Sequence, residues 1–247
     1  MSAFAYDALD LAVRDDIVAA NRRAWQRLGQ PGSWWTGAER VAIAAEVRHA
    51  QDCALCLARR EALSPESLQG EHDHRGELPA PAIDAIHRIT NDAGRLSRAW
   101  FERTLAVGLS DGHYVELVGV LVTLLSIDAF HRGLGVVPEP LPQPEAGEPS
   151  GYRPARAGDE GAYVPLLPWD ANEGEEADLW QGRGGANVLR AMSLVPDEVR
   201  QMRDLAATYY IPIAQLGDMR SNAGRALDRP QIELLAGRVS ALNECFY

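Results

Sequence analysis

The residues in this sequence best suited to chemistry are two cysteines three positions apart, in the run Cys53-Ala54-Leu55-Cys56. A thiolate attacks peroxides and binds soft metals where a thiol does not. A second sulfur within bonding reach converts the resulting sulfenic acid into a disulfide. A third cysteine, Cys245, stands 192 residues after Cys53. An odd count with two cysteines this close is no secreted disulfide framework, so the C-x-x-C reads as redox or metal chemistry.

Two local geometries could tune these sulfurs. If a helix starts at Cys53, with Asp52 as its cap, the positive helix end lowers the thiol pKa; Glu244 stands in the same place before Cys245. If the helix before Cys53 continues through it, Glu46, His49, Cys53, Cys56 and Arg60 share a face about 80° wide. His49 would then act as base, and Arg60 would favour the thiolate. A zinc site is the rival, made of Cys53 and Cys56 with two of His49, His72, His74 or His131. No second C-x-x-C or H-x3-H pair supports it, so neither metal nor cofactor is expected. His72 and His74 are expected in a solvated loop, and His131 at a helix C-terminus. Trp34 and Trp35 read as packing residues.

Helices must position these groups. Apolar periodicity predicts helices over 6–28, from about Gly37 towards Cys53, and over 81–90, 95–107, 111–134, 186–194, 196–209 and 229 to the end. Thr36 and Glu39 form a capping-box pattern ahead of the second helix. Asp228 and Pro230 suit a helix start as cap and first-turn proline. Residues 64–78 are polar and read as a loop. No segment alternates in the manner of a strand, so the fold class is all-α. The segment 115–127 is apolar but interrupted by Glu116, and is expected as a core helix or subunit interface rather than a membrane span. From 136 to 167 the sequence is rich in proline and glycine and lacks periodicity. It is expected to link a first unit, 1–135, to a second, 168–247.

Superimposing Cys245 on Cys53 pairs GAERVAIAAEVRHAQDC with RPQIELLAGRVSALNEC. Both segments are apolar-periodic and run into an acidic residue followed by cysteine, as a tandem repeat would. The second segment, from Glu233 through Val239-Ser240 and Asn243 to Cys245, resembles the core motif of the alkylhydroperoxidase D / carboxymuconolactone decarboxylase family. That motif has a glutamate twelve residues before the first cysteine, then C-x-x-C and a histidine four residues later. Glu233 fills the glutamate position relative to Cys245, and the sequence ends at Tyr247, inside the C-x-x-C. The first segment has the complete C-x-x-C, but Val41 stands at the glutamate position and Arg60 at the histidine position.

The resemblance implies an alkylhydroperoxidase D-like helical bundle of two tandem repeats, the second incomplete. It also implies a thiol-dependent peroxidase or disulfide oxidoreductase acting on hydrogen peroxide or organic hydroperoxides, re-reduced by a thioredoxin-like donor. The implied site residues are Cys53, Cys56, Glu233 and Cys245, with Glu46, His49 and Arg60 as local substitutes for the absent relay. Two other readings stand beside it: an acid–base decarboxylase of that family, which has no need of paired cysteines, and a non-enzymatic helical interaction protein. Because the sequence ends where the motif expects its second cysteine, one expectation is that the natural product continues through a UGA codon read as selenocysteine after Tyr247. A degenerate terminus is the other.

The charge balance is −11. That disfavours nucleic acid, which needs a basic surface. The first sixteen residues lack a basic start followed by an apolar block, so a cytoplasmic location is expected. Self-association through helices is expected from the family resemblance.

Overall fold

The computed structural model describes residues 4–6, 9–180, 187–243 and 245. Glu244, Phe246, Tyr247 and the expected helix start at Ala186 lie outside the described residues. Nine α-helices are described: α1 (Asp15–Gly29), α2 (Gly37–Ala50), α3 (Ala54–Glu61), α4 (Ala80–Asp92), α5 (Arg98–Ala106), α6 (Asp111–Leu134), α7 (Asn187–Arg190), α8 (Pro196–Tyr209) and α9 (Arg229–Leu242). Extended pairing among the described residues is confined to one isolated bridge, between Gly158 and Leu166. The class is all-α.

Local chemistry sets most of the boundaries. Glu39 Oε2 accepts from the Thr36 backbone N–H at 2.9 Å, and Thr36 Oγ1 accepts from the Glu39 N–H at 3.3 Å, so α2 starts in a full capping box. Ser97 and Ser110 cap α5 and α6 in the simpler way. Gly135, at φ 70°, ends α6 in the left-handed conformation that glycine adopts without steric cost. The first helix starts later than the periodicity predicts. It begins at Asp15, where Asp15 and Asp16 place negative charge against the positive helix end. Leu11, counted into the expected apolar stripe, is exposed.

The buried faces form one core. α2 packs against α1, α4 and α6, and α8 closes the bundle on α1 and α6. Ile43 and Val47 of α2, Ile86 of α4, Leu117, Leu124 and Ile127 of α6, and Val199 of α8 are fully buried in it. α6 is long and apolar enough by composition to cross a membrane, but α1, α2, α4 and α8 pack around it here. A charge cluster ties three helices together inside the core. Arg40 Nη1 of α2 donates to Glu116 Oε1 of α6 at 2.5 Å and to Glu198 Oε1 of α8 at 3.1 Å. The second Glu116 oxygen accepts from the Trp34 N–H at 2.7 Å. Charges this deeply buried persist only when paired and hydrogen-bonded.

Residues 136–167, expected as a linker, form an extended strap along the bundle. The Glu145, Ser150 and Gly151 N–H groups donate to the carbonyls of Gly29, Gly32 and Ser33, and Trp25 Nε1 donates to the Pro140 carbonyl. The end of the strap and the segment beyond it share the same core: Leu167, then Leu179, Leu194 and Val195, are buried in it with α8. α9 differs. It repeats α2 in length, fourteen residues, and in its capping box, which pairs Asp228 with Gln231. Its Leu234, Leu235, Val239 and Leu242, however, are exposed.

Candidate functional site

α2 stops at Ala50, and α3 starts at Ala54. The helix through the C-x-x-C is therefore broken, and the alternative of a helix start is the one realised, with one change. The N-cap residue is Cys53 itself, not Asp52. Its carbonyl accepts the first helical bond, from Leu57 N at 3.0 Å. Cys53 thus sits at the positive end of α3 and Cys56 one turn inside it, and both are buried.

Two histidines from elsewhere in the chain close on these sulfurs. Cys56 Sγ lies 3.4 Å from His72 Nδ1 and 3.4 Å from His87 Nδ1. Cys53 Sγ lies 3.8 Å from His72 Nδ1. The four ligand-capable atoms of Cys53, Cys56, His72 and His87 all fall within 4.8 Å of one another. Each ring holds a carboxylate on its far side. His72 Nε2 is 3.0 Å from Asp84 Oδ1, and Asp84 Oδ2 accepts from Trp100 Nε1 at 2.8 Å. His87 Nε2 is 2.8 Å from Glu46 Oε1, and Glu46 Oε2 accepts from the Arg75 N–H at 3.0 Å. A carboxylate at Nε2 fixes the proton there, so a neutral ring turns a lone pair at Nδ1 towards sulfur.

The electrostatics separate the two thiols. Burial pushes the Cys53 thiol up, but the Cys56 N–H, the His72 ring and the Asp73 N–H together outweigh it, leaving Cys53 lowered to about 7. The Cys56 N–H acts here as a nearby dipole and does not complete a capping hydrogen bond. Burial and the adjacent Cys53 charge push Cys56 up to about 12. His72 is raised: burial lowers it, and Asp84 and Cys53 more than reverse that. Burial keeps His87 lowered despite Glu46. These shifts favour a Cys53 thiolate paired with a protonated His72, and a Cys56 thiol beside a neutral His87.

The sequence-derived candidates are distributed unevenly around this centre. Glu46 belongs to it, reaching sulfur through His87 rather than by its own contact. His49 is turned to Asp73, 3.4 Å away, and is not one of the four clustered residues. Arg60 is exposed, and its neighbour Arg59 approaches instead, with Nη1 3.4 Å from His72 Nε2 and 3.9 Å from Asp84 Oδ1. Glu233 accepts from Tyr210 at 2.6 Å and Arg229 at 2.5 Å, pinning the start of α9. Cys245 is exposed. His72, expected in solvent, is turned inward with 8% of its side chain exposed, whereas His74 is exposed. His131 is buried against the Tyr6 hydroxyl, 2.7 Å from its Nε2, away from sulfur.

His87 and Asp84 escaped the sequence reading. The only signal for His87 was a lone imidazole among Ala82, Ile83, Ala85 and Ile86 on the buried face of α4.

No family model, curated protein or solved structure matches this chain. The function rests on the geometry.

Proposed function

We propose that this protein is a thiol-dependent peroxidase or disulfide oxidoreductase of the alkylhydroperoxidase D-like kind, working through Cys53 and Cys56. The observation that carries the reading is that a close pair of sulfurs lies against two imidazole–carboxylate pairs, His72–Asp84 within 3.8 Å of both sulfurs and suited to hold a thiolate, and His87–Glu46 against Cys56 and suited to remove a thiol proton.

The Cys53 thiolate attacks one peroxide oxygen, and the O–O bond breaks. The departing oxygen takes the His72 proton and leaves as an alcohol, or as water from hydrogen peroxide. Cys53 is now a sulfenic acid. Cys56 then passes its proton to His87 Nδ1, with Glu46 stabilising the imidazolium that forms. The freed Cys56 sulfur attacks the Cys53 sulfur, hydroxide leaves and is protonated to water, and a disulfide closes. A thioredoxin-like dithiol supplies the two electrons and two protons that reopen it. Both sulfurs are buried, and the segment 68–79 lays His72 over them as a cover, so peroxide entry requires that segment to shift.

The correspondence of α2 and α9 supports the tandem-repeat part of the proposal. Both helices keep their bounds and capping boxes at the same 192-residue offset as the cysteines. The proposed partners are a small peroxide, a dithiol reductant and further copies of the chain.

The test is peroxide consumption by the full chain with a dithiol reductant, comparing wild type with Cys53→Ser and Cys56→Ser. Loss of turnover in Cys53→Ser is expected, as is a trapped sulfenic acid in Cys56→Ser. Turnover unchanged by Cys53→Ser would sink the proposal.

A further inference from the structure

The four side chains that would run the dithiol chemistry also have the shape of a closed metal site. A tetrahedral zinc ion held by sulfur at about 2.3 Å and nitrogen at about 2.0–2.1 Å sets its S···N ligand pairs about 3.5 Å apart. Three of the four S···N separations here are 3.4, 3.4 and 3.8 Å, and the fourth, Cys53 to His87, falls within 4.8 Å. Both rings present the same nitrogen, Nδ1, to the sulfurs, and both give the other nitrogen to a carboxylate. That is the usual outer shell of a metal-bound histidine, in which the carboxylate fixes the ring and raises its basicity.

Hydrogen-bond accounting agrees. Cys56 Sγ faces two imidazole nitrogens at 3.4 Å; its one thiol proton serves one of them, and without a metal the other is satisfied only when its own ring is protonated. A cation at the centre of the four atoms satisfies both nitrogens and both sulfurs together. The ligand set is soft and nitrogenous, which suits zinc and excludes the oxygen-seeking magnesium and calcium. Two thiolates neutralise a dication, so the buried centre carries no net charge of its own.

We infer that reduced Cys53 and Cys56, with His72 and His87, form a tetrahedral site for a zinc-class divalent cation, and that metal occupancy and disulfide formation exclude each other. The inference deepens the proposed function and rests on its dithiol, but metal binding needs no peroxide turnover. The spacing, with fifteen residues between Cys56 and His72 and fourteen between His72 and His87, places the ligands on three separate segments, so the ion would staple α3 to the 68–79 cover and to α4. Oxidation of the loaded site balances as two thiolates, one peroxide and two protons giving one disulfide, one alcohol or water, and one water, with the cation released. The two electrons pass from sulfur to the O–O bond. Bound metal lowers the reactivity of the thiolates, and peroxide that does react with them both oxidises and empties the site.

The test uses the full chain, reduced and stripped with a chelator, then titrated with Co(II). Expected are thiolate-to-cobalt charge-transfer bands and tetrahedral d–d bands that saturate at one ion per chain and vanish when Zn(II) is added. His72→Ala and His87→Ala should weaken binding at least tenfold, with folding checked by circular dichroism. Wild type oxidised to the disulfide, whose fold is unaltered by substitution, should show no bands. Hydrogen peroxide added to zinc-loaded protein should release one zinc per disulfide into a chromogenic chelator. Absence of cobalt bands in the reduced wild type, bands that survive in both histidine variants, or a disulfide formed with metal still bound would each overturn the inference. Peroxide turnover without cobalt binding would remove the metal site and leave the peroxidase reading. Cobalt binding and peroxide-driven release without catalytic turnover would do the reverse.

Discussion

Glu46 and His87 come from different helices, forty-one positions apart, and meet at 2.8 Å inside the core, where both are almost completely buried. The pair fixes the Nε2 proton of His87 and leaves Nδ1 open to Cys56. Glu46→Gln keeps the shape and removes the charge. Disulfide closure after peroxide addition should slow by about 10–100-fold, the usual range for losing such an outer-shell partner. The Cys53 sulfenic acid should accumulate in proportion, as read by dimedone trapping and mass spectrometry. An unchanged closure rate would remove Glu46 from the relay.

The two thiols should titrate far apart. Because Cys53 is lowered to about 7, its alkylation in metal-free protein should rise with pH and level off above that value, while Cys56, pushed up to about 12, stays unreactive. Asp84→Asn removes the carboxylate that sustains the protonated His72, so the Cys53 midpoint should move up towards the ordinary 9.0. Iodoacetamide labelling with peptide mapping reads both cysteines at once.

The buried Arg40–Glu116–Glu198 cluster should matter for stability far more than the surface pairs. Replacing Arg40 by Met leaves two carboxylates facing each other in the core. Breaking a buried pair on one side costs about 3–5 kcal/mol. Denaturant unfolding should show that loss, whereas removing the exposed Arg156–Asp170 pair should cost at most about 1 kcal/mol. Comparable midpoints for the two variants would contradict this placement.

Acid should destabilise the fold through several paired aspartates. Hydrogen bonds from Arg14, Arg153 and Arg200 hold Asp16, Asp111 and Asp178 respectively below the ordinary 3.8. A carboxyl whose folded value is depressed contributes stability above its unfolded value and loses it as pH falls through the folded one. Stability measured by urea unfolding should therefore be steady near neutrality and decline from about pH 4 downward. Arg153→Gln should flatten part of that decline.

Much of the scaffold was legible because its signals are local. A Thr36–Glu39 box, an Asp228 cap with Pro230 behind it, and Gly135 after a long apolar run each mark a boundary by chemistry spanning a few residues. The break between α2 and α3 was less clear, since Ala50-Gln51-Asp52-Cys53 contains neither glycine nor proline. Glu46 does lie beside the sulfurs, but through His87 rather than along the continuous helix face that its spacing to Cys53 suggests. The turn at 51–53 brings Arg59, and not Arg60, round to His72.

The sequence by itself determined the helical class, most helix ends and the presence of two sulfurs one turn apart, because those follow from periodicity, caps and residue identity within a few positions. Only the tertiary structure decided which groups surround the sulfurs. His72 and His87 reach them by packing a polar loop and α4 against α3, and Asp84 and Glu46 reach the histidines in turn. Such contacts depend on how faces far apart in the chain pack and on which buried polar groups must find partners, and no local pattern encodes that.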